Sequence, residues 1–226
     1  MPRNAGRRDE ERRTHMWATE HELLAGGARL VAGVDEAGRG PLAGPVVVAA
    51  VILPVDGWFD GLNDSKQVAP DVRERLYAEI RAGAVAWHIE VVPVETIDAL
   101  NILQATYYGM RTALAALAPA PDIALVDGWA LPESPVPQRN LISGDARSAS
   151  IAAASILAKV HRDRVMIALD AQYPGYGFSR HKGYPTPEHL EALHRLGISP
   201  CHRRSFAPVR ACAQGMLPFE DADDAV

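Results

Sequence analysis

The stretch Val31–Gly44 (VAGVDEAGRGPLAG) constrains the chain more than any other. An apolar run from Leu30 to Val34 reaches an adjacent acidic pair, Asp35 and Glu36. A turn holding Gly38, Arg39, Gly40 and Gly44 follows, and then a second apolar run, Val46 to Leu53. Both runs are rich in Val and Ile and read as buried strands joined by the glycine-rich turn. Gly38 to Ala43 formally matches the G-x-G-x-x-A dinucleotide fingerprint, but that fingerprint needs a helix next. Here Val46-Val47-Val48 and Val51-Ile52-Leu53 are strand sequence, so a nucleotide-cofactor site is rejected. Adjacent strand residues point to opposite faces. Asp35 and Glu36 must therefore sit where the strand frays or bends if both serve one site; the alternative is that one caps the turn and the other is solvated.

The remaining pattern predicts an α/β fold. A helix is expected over 70–81, opened by Pro70 and stopped by Gly83, then a strand over 84–92. One long helix is expected over 94–117, ended by Pro119 and Pro121. A short strand over 123–126, a proline-rich loop over 131–138, a last strand over 140–143 and an alanine-rich helix over 148–169 come next. Tyr173–Tyr184 has too much Gly and Pro for a regular element and reads as a loop. Thr186-Pro187-Glu188 opens a further helix that Gly197 closes. Strands as a meander and then alternating with helices imply a mixed sheet with helices on both sides. Residues 1–20 are expected to be a disordered lead-in, 21–210 one domain with a helical cap and substrate loop over about 165–210, and 211–226 an acidic tail.

Composition bounds the function. Hydrophobic residues make up 48% and charged residues 23%, a balance that suits a soluble globular chain. The longest apolar run, Pro45–Val55, is too short to span a bilayer, and the N-terminus lacks the apolar core of a secretory signal. The two cysteines, Cys201 and Cys212, form no CxxC pair, which points to a reducing compartment, the cytosol by default. A net charge of −5 runs against a nucleic-acid binder. Yet Lys159–Arg210 carries nine Lys or Arg against four Asp or Glu, while the stretch after Arg210 carries four acids and no base. A locally basic third can face phosphates, although a solvated surface explains the same charges.

Two further acids follow the pattern of the first pair. Asp127 ends the apolar run Ile123–Val126, and Asp145 precedes a helix, where an N-cap role is the alternative. Ligands bind at strand ends along one edge of an α/β sheet. Carboxylates gathered there repel one another and raise their own pKa values unless cations neutralise them. Oxygen ligands suit Mg²⁺ or Mn²⁺ rather than zinc, and two such ions can drive phosphodiester hydrolysis. No Cys and His spacing offers a zinc site, and His189, His194 and His202 read as surface or helix residues. Asp64-Ser65-Lys66 is either a turn and cap or a phosphate contact by Ser65 and Lys66. Tyr173, Tyr176, Phe178 and Tyr184 interleave with Arg180, His181 and Lys182, which suits stacking beside phosphates or else a packed loop.

Taken in order, seven pieces resemble ribonuclease HII, the bacterial type 2 ribonuclease H: Ala32–Pro41, Leu62–Lys66, Val126–Gly128, Gly144-Asp145, Ala153–Val160, His181–Thr186 and His202–Phe206. The resemblance covers about residues 30–210 and implies a ribonuclease H-like mixed five-stranded sheet with a helical C-terminal extension. It implies hydrolysis of RNA in RNA–DNA hybrids and of single ribonucleotides in duplex DNA, cut on the 5′ side to leave a 3′-hydroxyl and a 5′-phosphate. By similarity Asp35, Glu36, Asp127 and Asp145 hold Mg²⁺ or Mn²⁺. Gly38, Arg39 and Gly40 resemble the turn that grips the ribonucleotide, and Tyr184 the tyrosine that packs on the neighbouring deoxyribose. Ser65, Lys66, Lys159 and Lys182 are expected to face the substrate as well. A monomer with nucleic acid as its partner and no membrane contact is expected. Two competing readings are a non-catalytic hybrid-binding protein and another ribonuclease H-like enzyme, a type 1 ribonuclease H or a DNA-strand transferase; the latter lack the glycine–arginine–glycine turn directly after an Asp-Glu pair.

Overall fold

A computed structural model of the chain describes residues 3–214, with side chains described from residue 9. In chain order the elements are α1 (Arg3–Ala25), β1 (Val31–Ala37), β2 (Val46–Ile52), α2 (Pro70–Gly83), β3 (Ala86–Val92), α3 (Val94–Leu100), α4 (Ile102–Ala115), β4 (Ile123–Asp127), β5 (Gln138–Leu141), α5 (Ala149–Gln172), α6 (Phe178–His181), α7 (Pro187–Leu196) and α8 (Ala207–Ala213). The strands form one sheet in the order β3-β2-β1-β4-β5. The short turn between β1 and β2 makes them antiparallel, as are β2 and β3, while β4 and β5 add in parallel beside β1.

Side-chain alternation explains why β2 is apolar throughout. Val47, Ala49 and Val51 face α2 and α5, whereas Val48, Ala50 and Ile52 face α4, so both faces of the sheet are covered. Helix α5 lies so close to β1 that a Cβ at Gly33 would overlap the backbone of Ser150 and Ile151. Its buried side is therefore the run Ala149, Ala152, Ala153, Ala154 and Ala158.

Several expectations are corrected. The lead-in is not disordered over the residues described with side chains: α1 buries Met16 and Trp17 in the main core, and Trp17 Nε1 donates to Gly57 O at 3.0 Å. Glu20, 2% exposed, ties this helix to the start of α5. Its Oε1 accepts from Ser148 Oγ at 2.6 Å, Ser150 Oγ at 2.8 Å and Ser150 N at 3.1 Å, an acid placed where a helix N-terminus favours one. The helix expected over 94–117 is broken at Asn101. That residue takes φ 68°, and its carboxamide accepts from the N–H groups of Leu103 and Gln104, capping α4. The last strand falls two residues early, as the polar edge segment Gln138–Leu141. The Tyr173–Tyr184 loop contains one turn of helix, α6. The acidic tail lies, from residue 215 on, outside the described residues.

Candidate active site

Pairing between β1 and β4 ends at Val34 and Val126, whose side chains face α4. The next residues, Asp35 and Asp127, sit side by side at the parting strand ends and face α5 by parity. The one-turn 3₁₀ segment Gly144–Ala146, just before α5, supplies Asp145 from that same side. Asp35, Asp127 and Asp145 each offer a carboxylate oxygen within 4.8 Å of the others. Asp127 Oδ1 accepts from Gly144 N at 2.6 Å, which locks the 3₁₀ turn to the strand end, and Asp35 Oδ1 accepts from Glu36 N at 2.7 Å. The alternative of Asp145 as the cap of α5 is rejected, because Ser148 fills that role with a bond to Ile151 N. Glu36, on the other parity, stands outside the three-acid group; its Oε1 meets Arg39 at 3.3 Å.

Charge in this cluster is under strain. Burial pushes the Asp35 carboxyl well above the usual range, and the negative charges of Glu36, Asp127 and Asp145 push it further. Burial also raises Glu36, with Arg39 opposing. Asp145 is raised by burial and by Asp64 and Asp127, against the pull of Lys66, whose Nζ lies 3.5 Å from its Oδ2. Partial burial disfavours charge on Lys66, but Asp145, Asp64 and Asp35 outweigh it and raise its pKa. An all-oxygen group of carboxylates, short of compensating positive charge, fits a hard divalent cation.

Asp35, Glu36 and Asp127 open into a cleft of about 480 Å³ that is lined as well by Gly38, Arg39, Gly40, Ser65, Lys66, Lys159 and Tyr184; Asp145 does not line it and adjoins it through Asp35 and Asp127. Tyr184, 44% exposed, stands against the turn: a Cβ at Gly40 would meet its Cε1 at 3.5 Å. Lys159 is held at 2.7 Å by Asp163. Lys182 does not line the cleft; its ammonium donates to Ser179 O, and its carbonyl accepts from Arg162, which does line the cleft. Tyr176 and Phe178 stack on each other in the cap core, so of the four interleaved aromatics only Tyr184 lines the cleft.

Of the three histidines read as surface or helix residues, His189 and His194 lie on α7, whereas His202 is corrected, being buried outside any helix. His189 and His202 are fully buried, and their Nε2 atoms lie 3.1 Å apart. Two charged cleft residues were missed. Arg73 donates to Ser65 O at 2.8 Å and to Val68 O at 2.6 Å, holding the Ser65-Lys66 loop. Arg162 is a charged residue on the buried side of the alanine-rich helix, and that misfit was its signal.

The sheet order, the two covering layers and the acids at the ends of β1 and β4 define a ribonuclease H-like α/β enzyme. The Ribonuclease HII family model matches residues 32–209. The chain belongs to the ribonuclease HII family and is a ribonuclease H, an endonuclease acting on the RNA of RNA–DNA hybrids. It is 58% identical over 201 residues to a ribonuclease HII of Geobacillus kaustophilus, covering 89% of this chain and 77% of that one. It is 55% identical over 206 residues to a ribonuclease HII of Moorella thermoacetica, covering 91% and 99%. The crystal structure of the ribonuclease H2 of Pyrococcus horikoshii superposes with a TM-score of 0.74 at 27% identity, covering 83% of this chain and 99% of that one. Among the described residues no helix is long and apolar enough to cross a membrane.

Proposed function

We propose that the chain removes ribonucleotides from DNA by cutting on the 5′ side of a single embedded ribonucleotide, leaving a 3′-hydroxyl and a 5′-phosphate. The meeting of Asp35 and Asp127, with Asp145 grouped beside them, with the Gly38–Gly40 turn and Tyr184 at one cleft carries this reading. Asp35, Asp127 and Asp145, with Glu36 beside them, would hold Mg²⁺ or Mn²⁺. Two such cations, when bound, neutralise the cluster and favour attack of a water on phosphorus with loss of the 3′-oxygen. The remaining roles belong to the chain. Lys66 and Lys159 supply positive charge to phosphates along the cleft. The Gly38–Gly40 backbone approaches the 2′-hydroxyl, the one group that separates RNA from DNA at a site. Tyr184 packs its ring on the deoxyribose that follows, so an RNA-to-DNA junction is preferred.

Both cysteines are free, in keeping with a cytosolic protein. The test is cleavage of three matched duplexes: one with a single ribonucleotide, an RNA–DNA hybrid and all-DNA. The first two are expected to be cut with Mg²⁺ or Mn²⁺ and to survive in chelator. Full activity in chelator would end the metal assignment, and an intact single-ribonucleotide duplex would end the proposed specificity.

A further inference from the structure

Arg162 and Arg203 are among the largest fully buried side chains in the molecule, and neither forms an ion pair among the described residues. Burying a guanidinium without a carboxylate is costly unless every donor finds an acceptor. Here the acceptors are all backbone carbonyls. Arg203 donates from Nε to Gly44 O at 2.9 Å, and from its two terminal nitrogens to Arg39 O at 2.9 Å and Gly38 O at 2.6 Å. Arg162 donates from Nε to Pro45 O at 3.1 Å, and from one terminal nitrogen to Ala43 O at 3.2 Å and Lys182 O at 3.0 Å. Five carbonyls of the 38–45 turn are thus drawn inward by two cations from elements distant in sequence.

A trans peptide is planar, so the carbonyl of one residue and the N–H of the next point in opposite directions. Drawing Gly38 O and Arg39 O onto Arg203 therefore turns the N–H groups of Arg39 and Gly40 away from the protein. Both residues are exposed and line the cleft, and neither N–H has an acceptor among the described residues. Gly38 takes φ 96°, and a Cβ there would overlap the Arg162 guanidinium, so the turn and the arginine beneath it require each other. Burial, and the repulsion of Arg162, lower the Arg203 pKa only to about 9, so the fork stays charged at neutral pH.

We infer that Arg203, braced by Arg162, is a positioning residue that presets the Arg39 and Gly40 N–H groups as a paired donor for the 2′-oxygen of the ribonucleotide. This rests on the proposed function and names what sets its selectivity. Lysine keeps the charge of Arg203 but cannot span three carbonyls in one plane. In an Asp35→Asn background, where substrate persists, the affinity ratio between duplexes with and without one ribonucleotide is expected to fall about tenfold on Arg203→Lys. Binding of the all-DNA duplex should hold. An equal loss on both duplexes, or an unchanged ratio, overturns the inference. If Arg203→Lys does not fold, amide NMR of the parent protein decides: the Arg39 and Gly40 resonances should shift with the ribonucleotide duplex and not with its all-DNA match. The same shift with both duplexes overturns the inference. Absence of any ribonucleotide preference in the parent would instead remove the functional reading beneath it.

Discussion

Burial and three neighbouring acids disfavour the charged form of Asp35 and raise its pKa. Removing one negative charge from such a group relieves repulsion while deleting a proposed metal ligand. Asp35→Asn is therefore expected to abolish cleavage and to stabilise the metal-free protein by about 1 kcal/mol. Thermal melting in chelator, paired with a cleavage assay in Mn²⁺, checks both halves; a drop in metal-free stability would show that the cluster is not strained. Tyr184 makes the contrasting case. Its ring is half exposed, and its backbone carbonyl, rather than its hydroxyl, receives the structural bond from His189 at 2.9 Å. Tyr184→Ala should leave the fold intact and lower kcat/KM on a single ribonucleotide roughly ten- to a hundredfold, the worth of one stacking contact. Uniform hybrid should suffer less, and an unchanged ratio between the two substrates would assign the ring to loop packing.

At the scale of elements, the contact of α5 with β1 decides where the acids meet. Helix α5 carries Lys159 and Arg162 and starts directly after the turn of Asp145. Gly33, two residues before Asp35, lets that helix touch the strand backbone. Gly33→Ala places a methyl against main chain that cannot swing aside, and overpacking of this kind costs about 1–3 kcal/mol or more. The expected result is a lower urea midpoint together with weaker Mn²⁺-induced stabilisation, because α5 and the Asp145 turn are pushed off the sheet. Unaltered Mn²⁺ stabilisation would show that the turn is positioned independently of α5. Helix α4 has a simpler logic: its apolar stripe continues that of α3, but Asn101 resets the backbone and supplies the cap.

For the molecule as a whole, the segments of the helical cap are tied to one another by a directed chain of neutral histidines. Ser199 N donates to His202 Nδ1 at 3.0 Å, so His202 donates from Nε2 to His189 Nε2, and His189 Nδ1 donates to Tyr184 O. A proton on Nδ1 of His202 would face the Ser199 N–H head-on. Burial, and the proximity of His189, hold the His202 pKa down to about 4. An unfolded histidine titrates near 6.5. The folded state thus binds fewer protons between those values, and stability is full above about pH 6.5 and falls as pH drops toward 4. The loss from this group alone is about 3 kcal/mol. Urea midpoints at pH 7 and pH 4.5 should show it, and His202→Asn should flatten the difference, whatever its cost at pH 7. An unchanged acid slope in that variant would place the sensitivity elsewhere.

Local chemistry alone announced much of this molecule. Strand-forming runs around a glycine turn, acids at apolar strand ends and Pro or Gly at helix ends depend on neighbours within a few residues, so β1, β2, α2, α7 and the group of Asp35, Asp127 and Asp145 were legible from sequence. What stayed hidden depends on partners far along the chain. The helix over 3–25 has no strong stripe of its own and holds because Trp17 meets the 57 loop and Glu20 the start of α5. His202 and Arg203 look like surface residues until the Gly38–Gly44 carbonyls and His189 close over them. A buried polar group is stable only where tertiary contacts supply every acceptor, and a linear pattern does not reveal which carbonyls those will be.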